Sequence, residues 1–158
     1  MDYKDLSDHS KVWIYQSNRK LTDDEVSEIK NYGKKFIDTW SAHGSELNAA
    51  FEIFYNQFIV LFADETQVKT SGCSIDASTR FIKDIQNAYR LDLFDRMNIA
   101  FMAGNKVDTL RMTDFQNSIA AKRITENTIV FNNLVNNKKD FMNAWKVPLK
   151  DSWHKQLL

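Results

Sequence analysis

Two apolar runs between residues 48 and 64 constrain the fold of this chain more than any other feature. The segment reads NAAFEIFYNQFIVLFAD, in which runs rich in Phe and Ile flank Asn56 and Gln57. Each run is too short for a helix, whereas both have the length and composition of strands. The segment is therefore predicted to form a β-hairpin that turns at Asn56-Gln57.

The stretch that follows Thr22 is predicted to be a helix. Thr22 is placed to cap it, and Glu25, three residues later, is placed to return the hydrogen bond. Apolar residues then recur at helical spacing as far as Trp40, and Gly44 is placed to end the helix.

Short β-branched or aromatic runs and capped stretches predict the remaining elements. These are strands at 11–16, 98–102, 107–112 and 128–131, an amphipathic helix that begins at 73–76, a helix from Thr113 with Gln116 as capping partner, a helix at 138–145 and a terminal turn capped by Ser152. Their order predicts one α+β domain over residues 1–158, with a single antiparallel or mixed sheet and helices packed on one side. The first six elements, βαββαβ, also fit a ferredoxin-like core with a C-terminal extension.

Composition excludes several classes of protein. The chain has one cysteine, four glycines and one proline in 158 residues, so it has neither an internal disulfide nor a flexible linker. No apolar stretch resembles a signal sequence or a membrane span, which predicts a cytoplasmic protein with no membrane partner. The net charge is zero, although residues 1–65 carry seven basic and twelve acidic side chains and residues 104–158 carry nine and five. Nucleic-acid binding is therefore not favoured, and a protein is the predicted partner.

Several stretches together resemble a family of small uncharacterised bacterial proteins. They are VWIYQSNR at 12–19, WSAHG at 40–44, FEIFYNQFIVLFADE at 51–65, SGCSID at 71–76, FDR at 94–96 and SWH at 152–154. Members of that family are commonly labelled "ABC transporter ATPase". Such an ATPase requires a GxxxxGK[ST] loop to hold the phosphates, and this sequence contains none. The resemblance implies a shared fold and supplies no catalytic residues.

The stretch TSGCSIDAST at 70–79 is the first candidate site. At a helix start, Cys73 would lie near the positive end of the helix dipole, which favours a nucleophilic thiolate, and His43 is the candidate base. The amides around Gly72 and Ser74 would alternatively bind an anion. A purely structural interpretation makes Cys73 a buried residue, with Ser74 as the helix cap and Asp76 in the first turn.

Other candidates lie elsewhere in the chain. Arg19 and Arg96 stand beside predicted strand ends, where either would clamp a carboxylate or phosphate. Trp145 and Trp153 belong to an apolar tail that would pack on the domain or on a partner. The three histidines and one cysteine have no metal-ligand spacing, so neither a metal nor a cofactor is predicted. No catalytic signature is complete, which favours a non-enzymatic binding module over a small enzyme with Cys73 as nucleophile.

Overall fold

The computed structural model describes residues 2–42 and 44–158, which form two compact units. The first unit contains the described residues up to Phe94 together with Asn137–Lys139. The second contains Asp95–Asn136 and Asp140–Leu158. The single domain predicted for residues 1–158 stays a prediction, and the two units are described in turn.

The first unit is built on a three-stranded antiparallel sheet. Its strands, in spatial order, are β1 (Lys11–Gln16), β5 (Phe58–Asp64) and β4 (Asn48–Phe54). The hairpin predicted at 48–64 is present, and its turn has left-handed φ values at Tyr55 and Asn56. All residues of β5 except the last are buried, because this strand is central and apolar from Phe58 to Ala63.

Two helices cover one face of this sheet. They are α1 (Asp23–Thr39) and α2 (Gly72–Tyr89). The capping box predicted for α1 is present, with Thr22 and Glu25 bonded reciprocally. The core between helices and sheet contains Ile29 from α1, Phe81 and Ile85 from α2, and Leu61 from β5.

The end of α1 differs from the prediction. The helix stops at Thr39, and Trp40 takes an extended conformation that leads into β2 (Ser41–Ala42) and β3 (Ser45–Glu46), which pair antiparallel. Gly44 lies in the turn before β3 with φ +78°, so its freedom serves that turn and not the helix end. In this extended conformation Trp40 is buried, with only 2% of its surface exposed.

The second unit is a four-stranded antiparallel sheet with one longer helix. The strands, in spatial order, are β7 (Lys106–Arg111), β6 (Asn98–Ala103), β8 (Ile129–Phe131) and β9 (Lys146–Pro148). α3 (Met112–Ala120) follows β7, and its Phe115 is fully buried among apolar residues of the sheet and the C-terminal segment. The capping box predicted at Thr113 and Gln116 is wrong, because the N-cap is Arg111, two residues before Thr113, and it makes no side-chain capping bond.

The last elements are short. They are α4 (Lys138–Ala144) and the 3-10 turns Leu149–Asp151 and Trp153–Leu157. Ser152 precedes the final turn as predicted, but its hydroxyl bonds to Nδ1 of His154 at 2.7 Å and does not cap. No helix in the described part of the chain is long and apolar enough to cross a membrane.

The α+β class is confirmed, whereas the single sheet is wrong. The described strands form three separate sheets, and every strand pair is antiparallel. The ferredoxin-like alternative fails for the same reason, because β6 pairs with β7 and β8 and does not join β1, β4 and β5. Element order carries no information on which distant strands pair, since pairing depends on contacts far apart in the chain.

Candidate functional site: an uncharged cleft beside Cys73

A cleft of about 410 Å³ lies in the first unit, beside Cys73. It is bounded by the end of α1, by β2 and by the first turns of α2. Among the described residues, those that line it carry no charge: Phe36, Thr39, Trp40, Ser41, Ala42, Gly44, Ser71, Cys73, Ser74 and Ala77.

Aromatic rings form one side of the cleft. The ring of Phe36 lies 5.3 Å from that of Trp40 and stacks on Phe81 at 4.3 Å. The indole Nε1 of Trp40 donates to the carbonyl oxygen of Ser74 at 2.8 Å in a buried position. This bond ties the end of α1 to the first turn of α2, so the two elements that frame the cleft are held together.

The other side of the cleft is the start of α2. Ser71 is the N-cap, and its hydroxyl accepts from the amide of Ser74 at 3.1 Å. The hydroxyl of Ser74 in turn accepts from the amide of Ser71 at 2.6 Å. The prediction that Ser74 is the cap is therefore wrong by three residues, because a reciprocal serine pair begins the helix. Asp76 is not in the first turn, which contains no acidic residue.

These hydrogen bonds reduce the number of backbone N–H groups at the start of α2 that are left to bind an anion. The amides of Ser74 and Ile75 are already bonded to Ser71, which leaves those of Gly72 and Cys73. Gly72 is exposed, and nothing lies within 4 Å of where its Cβ would be. In the described part of the chain, no lysine or arginine lines the cleft to neutralise a bound anion.

Cys73 itself is exposed and not buried as the structural interpretation expected. It is the second residue of an 18-residue helix, and its side chain is reachable from the cleft. His43 lies outside the described residues, so its pairing with Cys73 stays a prediction.

Arg19 is in the first unit but is occupied by structural bonds. Its guanidinium donates to both carboxylate oxygens of Glu25, at 2.8 and 2.9 Å, and to the carbonyl oxygens of Lys20 and Tyr89. The hydrogen bonds from Arg19, followed by that from the amide of Thr22, lower the pKa of Glu25 from 4.5 to about 2. Arg19 thus joins the start of α1 to the end of α2, and it does not line the cleft.

The remaining candidates belong to the second unit. Arg96 is exposed, and its neighbour Asp95 pairs with Arg111, not with Arg96. Trp145 is 5% exposed, stacks on Phe141 at 4.7 Å and is part of the packed interior. No three His, Cys, Asp or Glu side chains of the described residues are grouped as a metal site would require.

Trp153 is half-buried and stacks on His154 at 4.0 Å. The imidazole of His154 is 2% exposed, and its burial lowers its pKa from 6.5 to about 4. Its hydrogen bond to Ser152 lies in a packed region, so this pair is structural.

Sequence reasoning identified Cys73, Gly72 and Ser74 but missed Phe36, Trp40 and Ser71 as parts of one cleft. Phe36 and Trp40 were visible as residues four apart on a helix, which indicates only that they share a face. Ser71 was one of several hydroxyl residues able to cap α2, and the usual Glu or Gln three residues later was lacking, so no local signal singled it out.

Compared with known proteins, the chain matches no protein family, no curated protein and no solved structure.

Proposed function

We propose that this protein is a non-enzymatic binding module whose cleft beside Cys73 receives an uncharged side chain of a protein partner. The observation that carries the proposal is the lining that residues 2–42 and 44–158 give the cleft, in which aromatic rings and small hydroxyl residues occur without a charged side chain. Binding sites of this size are mostly apolar, with a few polar groups that fix orientation.

The same lining argues against charged ligands. A phosphate or carboxylate would require a cation or several free amides, and Arg19 is bonded to Glu25 outside the cleft. An apolar or aromatic side chain would instead contact Phe36 and Trp40, while the hydroxyl groups of Thr39 and Ser41 bond to its backbone.

A macromolecular partner fits better than a small molecule. Tyr32, one helical turn before Phe36, is 43% exposed, and its ring lies 5.0 Å from Phe81. The aromatic surface therefore extends along α1 beyond the cleft, where a protein segment would cover it. We propose the cytoplasm as the compartment, because the one cysteine is a free, exposed thiol that a reducing environment preserves.

The test uses Cys73 as a built-in reporter, since it is the only cysteine. The rate at which iodoacetamide alkylates Cys73 would be measured in the presence of N-acetyl-tryptophanamide, N-acetyl-leucinamide or sodium phosphate. An uncharged side-chain analogue in the cleft should shield the thiol, so the rate should fall by about half when the analogue is at its dissociation constant. Phosphate should leave the rate unchanged.

Two variants make this test specific. Thr39→Arg places a charge on the lining and should abolish the protection, whereas Asn31→Arg, exposed on the same helix outside the lining, should preserve it. As a control for general effects on thiol chemistry, Cys73→Ser combined with Asp84→Cys moves the thiol outside the cleft, where neither analogue should shield it. Protection by phosphate, or protection unchanged by Thr39→Arg, contradicts the proposal.

The second candidate is a small enzyme with Cys73 as nucleophile. It is favoured by one observation, the exposure of this thiol at the second residue of a long helix, within a cleft. The enzyme would be supported by two results at neutral pH. Cys73 should be alkylated faster than a free thiol with a pKa of about 8.5, and His43→Ala should slow that alkylation. If the alkylation rate is that of an ordinary thiol and His43→Ala does not change it, the enzyme is excluded and the binding module is the candidate that remains.

A further inference from the structure

A second cavity, of about 350 Å³, lies in the first unit between the N-terminal turn and one edge of the sheet. Its lining contains Asp2, Tyr3 and Lys4 from the turn, Lys30 from α1, and residues 51–54 of the edge strand β4. It shares none of its described lining residues with the uncharged cleft. The two sites are therefore separate.

The turn that forms one wall of this cavity is fixed to the rest of the unit. The ammonium of Lys138, a buried residue, donates to the carbonyl oxygen of Lys4 at 2.8 Å, and the ring of Tyr3 stacks on that of Phe62 at 4.9 Å. Oδ1 of Asp2 accepts from the amide of Lys4 at 3.0 Å and so caps the turn. This wall is therefore in place before a ligand binds, which lowers the entropic cost of binding.

The opposite wall carries an ion pair at the edge of the sheet. Oε1 of Glu52 accepts from the amide of Ile53 at 2.9 Å and from Nζ of Lys30 at 3.1 Å. An ammonium has three N–H donors and a carboxylate has two acceptor oxygens. Two donors of Lys30 and Oε2 of Glu52 therefore make no hydrogen bond to the described residues and are left for a ligand.

Each wall thus contributes one cation and one anion. Lys4 forms no ion pair with the described residues, and its ammonium lies 6.0 Å from the centre of the Tyr3 ring. A ligand with a single charge would meet like and opposite charges in equal number. A ligand that carries both charges close together places each one beside groups of the opposite sign.

The cavity also offers an apolar contact. The rings of Tyr3 and Phe54 are half-buried and lie 5.5 Å apart, edge to face. Aromatic rings in such a position provide a large apolar surface to a ligand side chain.

We propose that this cavity binds a free α-amino acid with an apolar side chain. Its carboxylate accepts from Lys4 and Lys30, its ammonium donates to Asp2 and Glu52, and its side chain packs against the two aromatic rings. The volume lies within the range of small-ligand sites, about 300–1,000 Å³. This inference does not depend on the function proposed for the uncharged cleft, because the two sites have different linings.

The test is a titration of the full chain with L-leucine to about 20 mM, followed by the amide NMR signals of Glu52 and Ile53. N-acetyl-L-leucine, which lacks the ammonium, and L-leucinamide, which lacks the carboxylate, are the matched probes. L-leucine should shift both signals in a saturable manner. Each of the other probes should bind at least about tenfold more weakly, because it loses one set of charge-assisted hydrogen bonds.

Two pairs of variants make the test specific to this cavity. Asp2→Asn keeps an oxygen that caps the turn but removes the charge, so it should raise the Kd of L-leucine about threefold or more. Asp5→Asn, exposed in the same turn but outside the lining, should leave the Kd unchanged. Lys30→Met should likewise weaken binding, whereas Lys34→Met, one helical turn later and outside the lining, should not.

Three results would overturn the proposal. They are the lack of a saturable shift with L-leucine, binding of either single-charge probe as tight as that of L-leucine, and equal effects of Asp2→Asn and Asp5→Asn. Melting temperatures establish that each variant is folded. If Lys30→Met does not fold, the comparison of Asp2→Asn with Asp5→Asn decides the matter.

Discussion

The phenyl ring of Phe51 lies against the bare backbone of Gly33. A Cβ built on Gly33 would meet Cγ, Cδ1 and Cε1 of that ring at distances well below van der Waals contact. This glycine therefore allows α1 to approach β4 closely.

Gly33→Ala should destabilise the protein by about 1–3 kcal/mol, because either the ring or the helix has to move. Gly72→Ala is the matched control. Nothing lies within 4 Å of its Cβ position, and alanine reduces the entropy of the unfolded chain, so this change should be neutral or stabilising by up to about 1 kcal/mol. Urea unfolding of both variants measures the difference, and equal stabilities would contradict the assignment.

Ser71→Ala should cost about 1 kcal/mol, because it removes the oxygen that accepts from the amide of Ser74. Ser71→Asn should retain most of the stability, since asparagine is also a good N-cap. Denaturant midpoints compare the two variants. If Ser71→Asn is as unstable as Ser71→Ala, the cap is not the cause.

Stability should fall as the pH decreases from 6.5 toward 4, because of His154. The pKa of this side chain is lowered to about 4 in the folded state, from 6.5, so the unfolded chain binds a proton that the folded chain does not. The loss approaches about 3 kcal/mol over that window, at 1.36 kcal/mol for each unit of pKa difference. Unfolding free energies measured at several pH values would show the slope.

His154→Gln is the control for this pH dependence. The pKa of Glu25 is also lowered, so its contribution is lost only below 4.5, and the range from pH 6.5 to 5 isolates His154. The variant should be less stable at pH 7, but its unfolding free energy should change less with pH between 6.5 and 5. A slope equal to that of the unaltered protein would assign the effect to another group.

Lys138→Met should destabilise the protein by about 2–4 kcal/mol. Lys138 is 6% exposed, and its ammonium donates to the carbonyl oxygens of Lys4 at 2.8 Å and Leu6 at 2.6 Å. Without it, these carbonyls lose their donor, and the N-terminal turn Tyr3–Asp5 should be cleaved faster in limited proteolysis. Lys139→Met, at the exposed neighbouring position, should have a much smaller effect on both measurements.

The local pattern predicted most elements of this chain. The bounds of β1 agree with the prediction, the capping box of α1 is present, and both long hairpins occur where alternating apolar runs flank turn residues. These features depend on residues within a few positions of one another, so sequence proximity contains the necessary information. The predicted start of α2 was wrong in detail, because Thr70, Ser71 and Ser74 offered several caps with similar local chemistry.

By itself, the sequence determined the α+β class, the alternation of strands and helices and the lack of a phosphate-binding loop. Only the tertiary structure decided that the described strands form three sheets and that Arg19 is bonded to Glu25 and Tyr89. It also decided that Phe36 and Trp40 meet the start of α2 in a cleft whose described lining is uncharged. Local conformation depends on neighbouring residues and their hydrogen bonds. Strand partners, burial and the lining of a cleft depend on contacts between residues dozens of positions apart, which become specific only when the whole core packs.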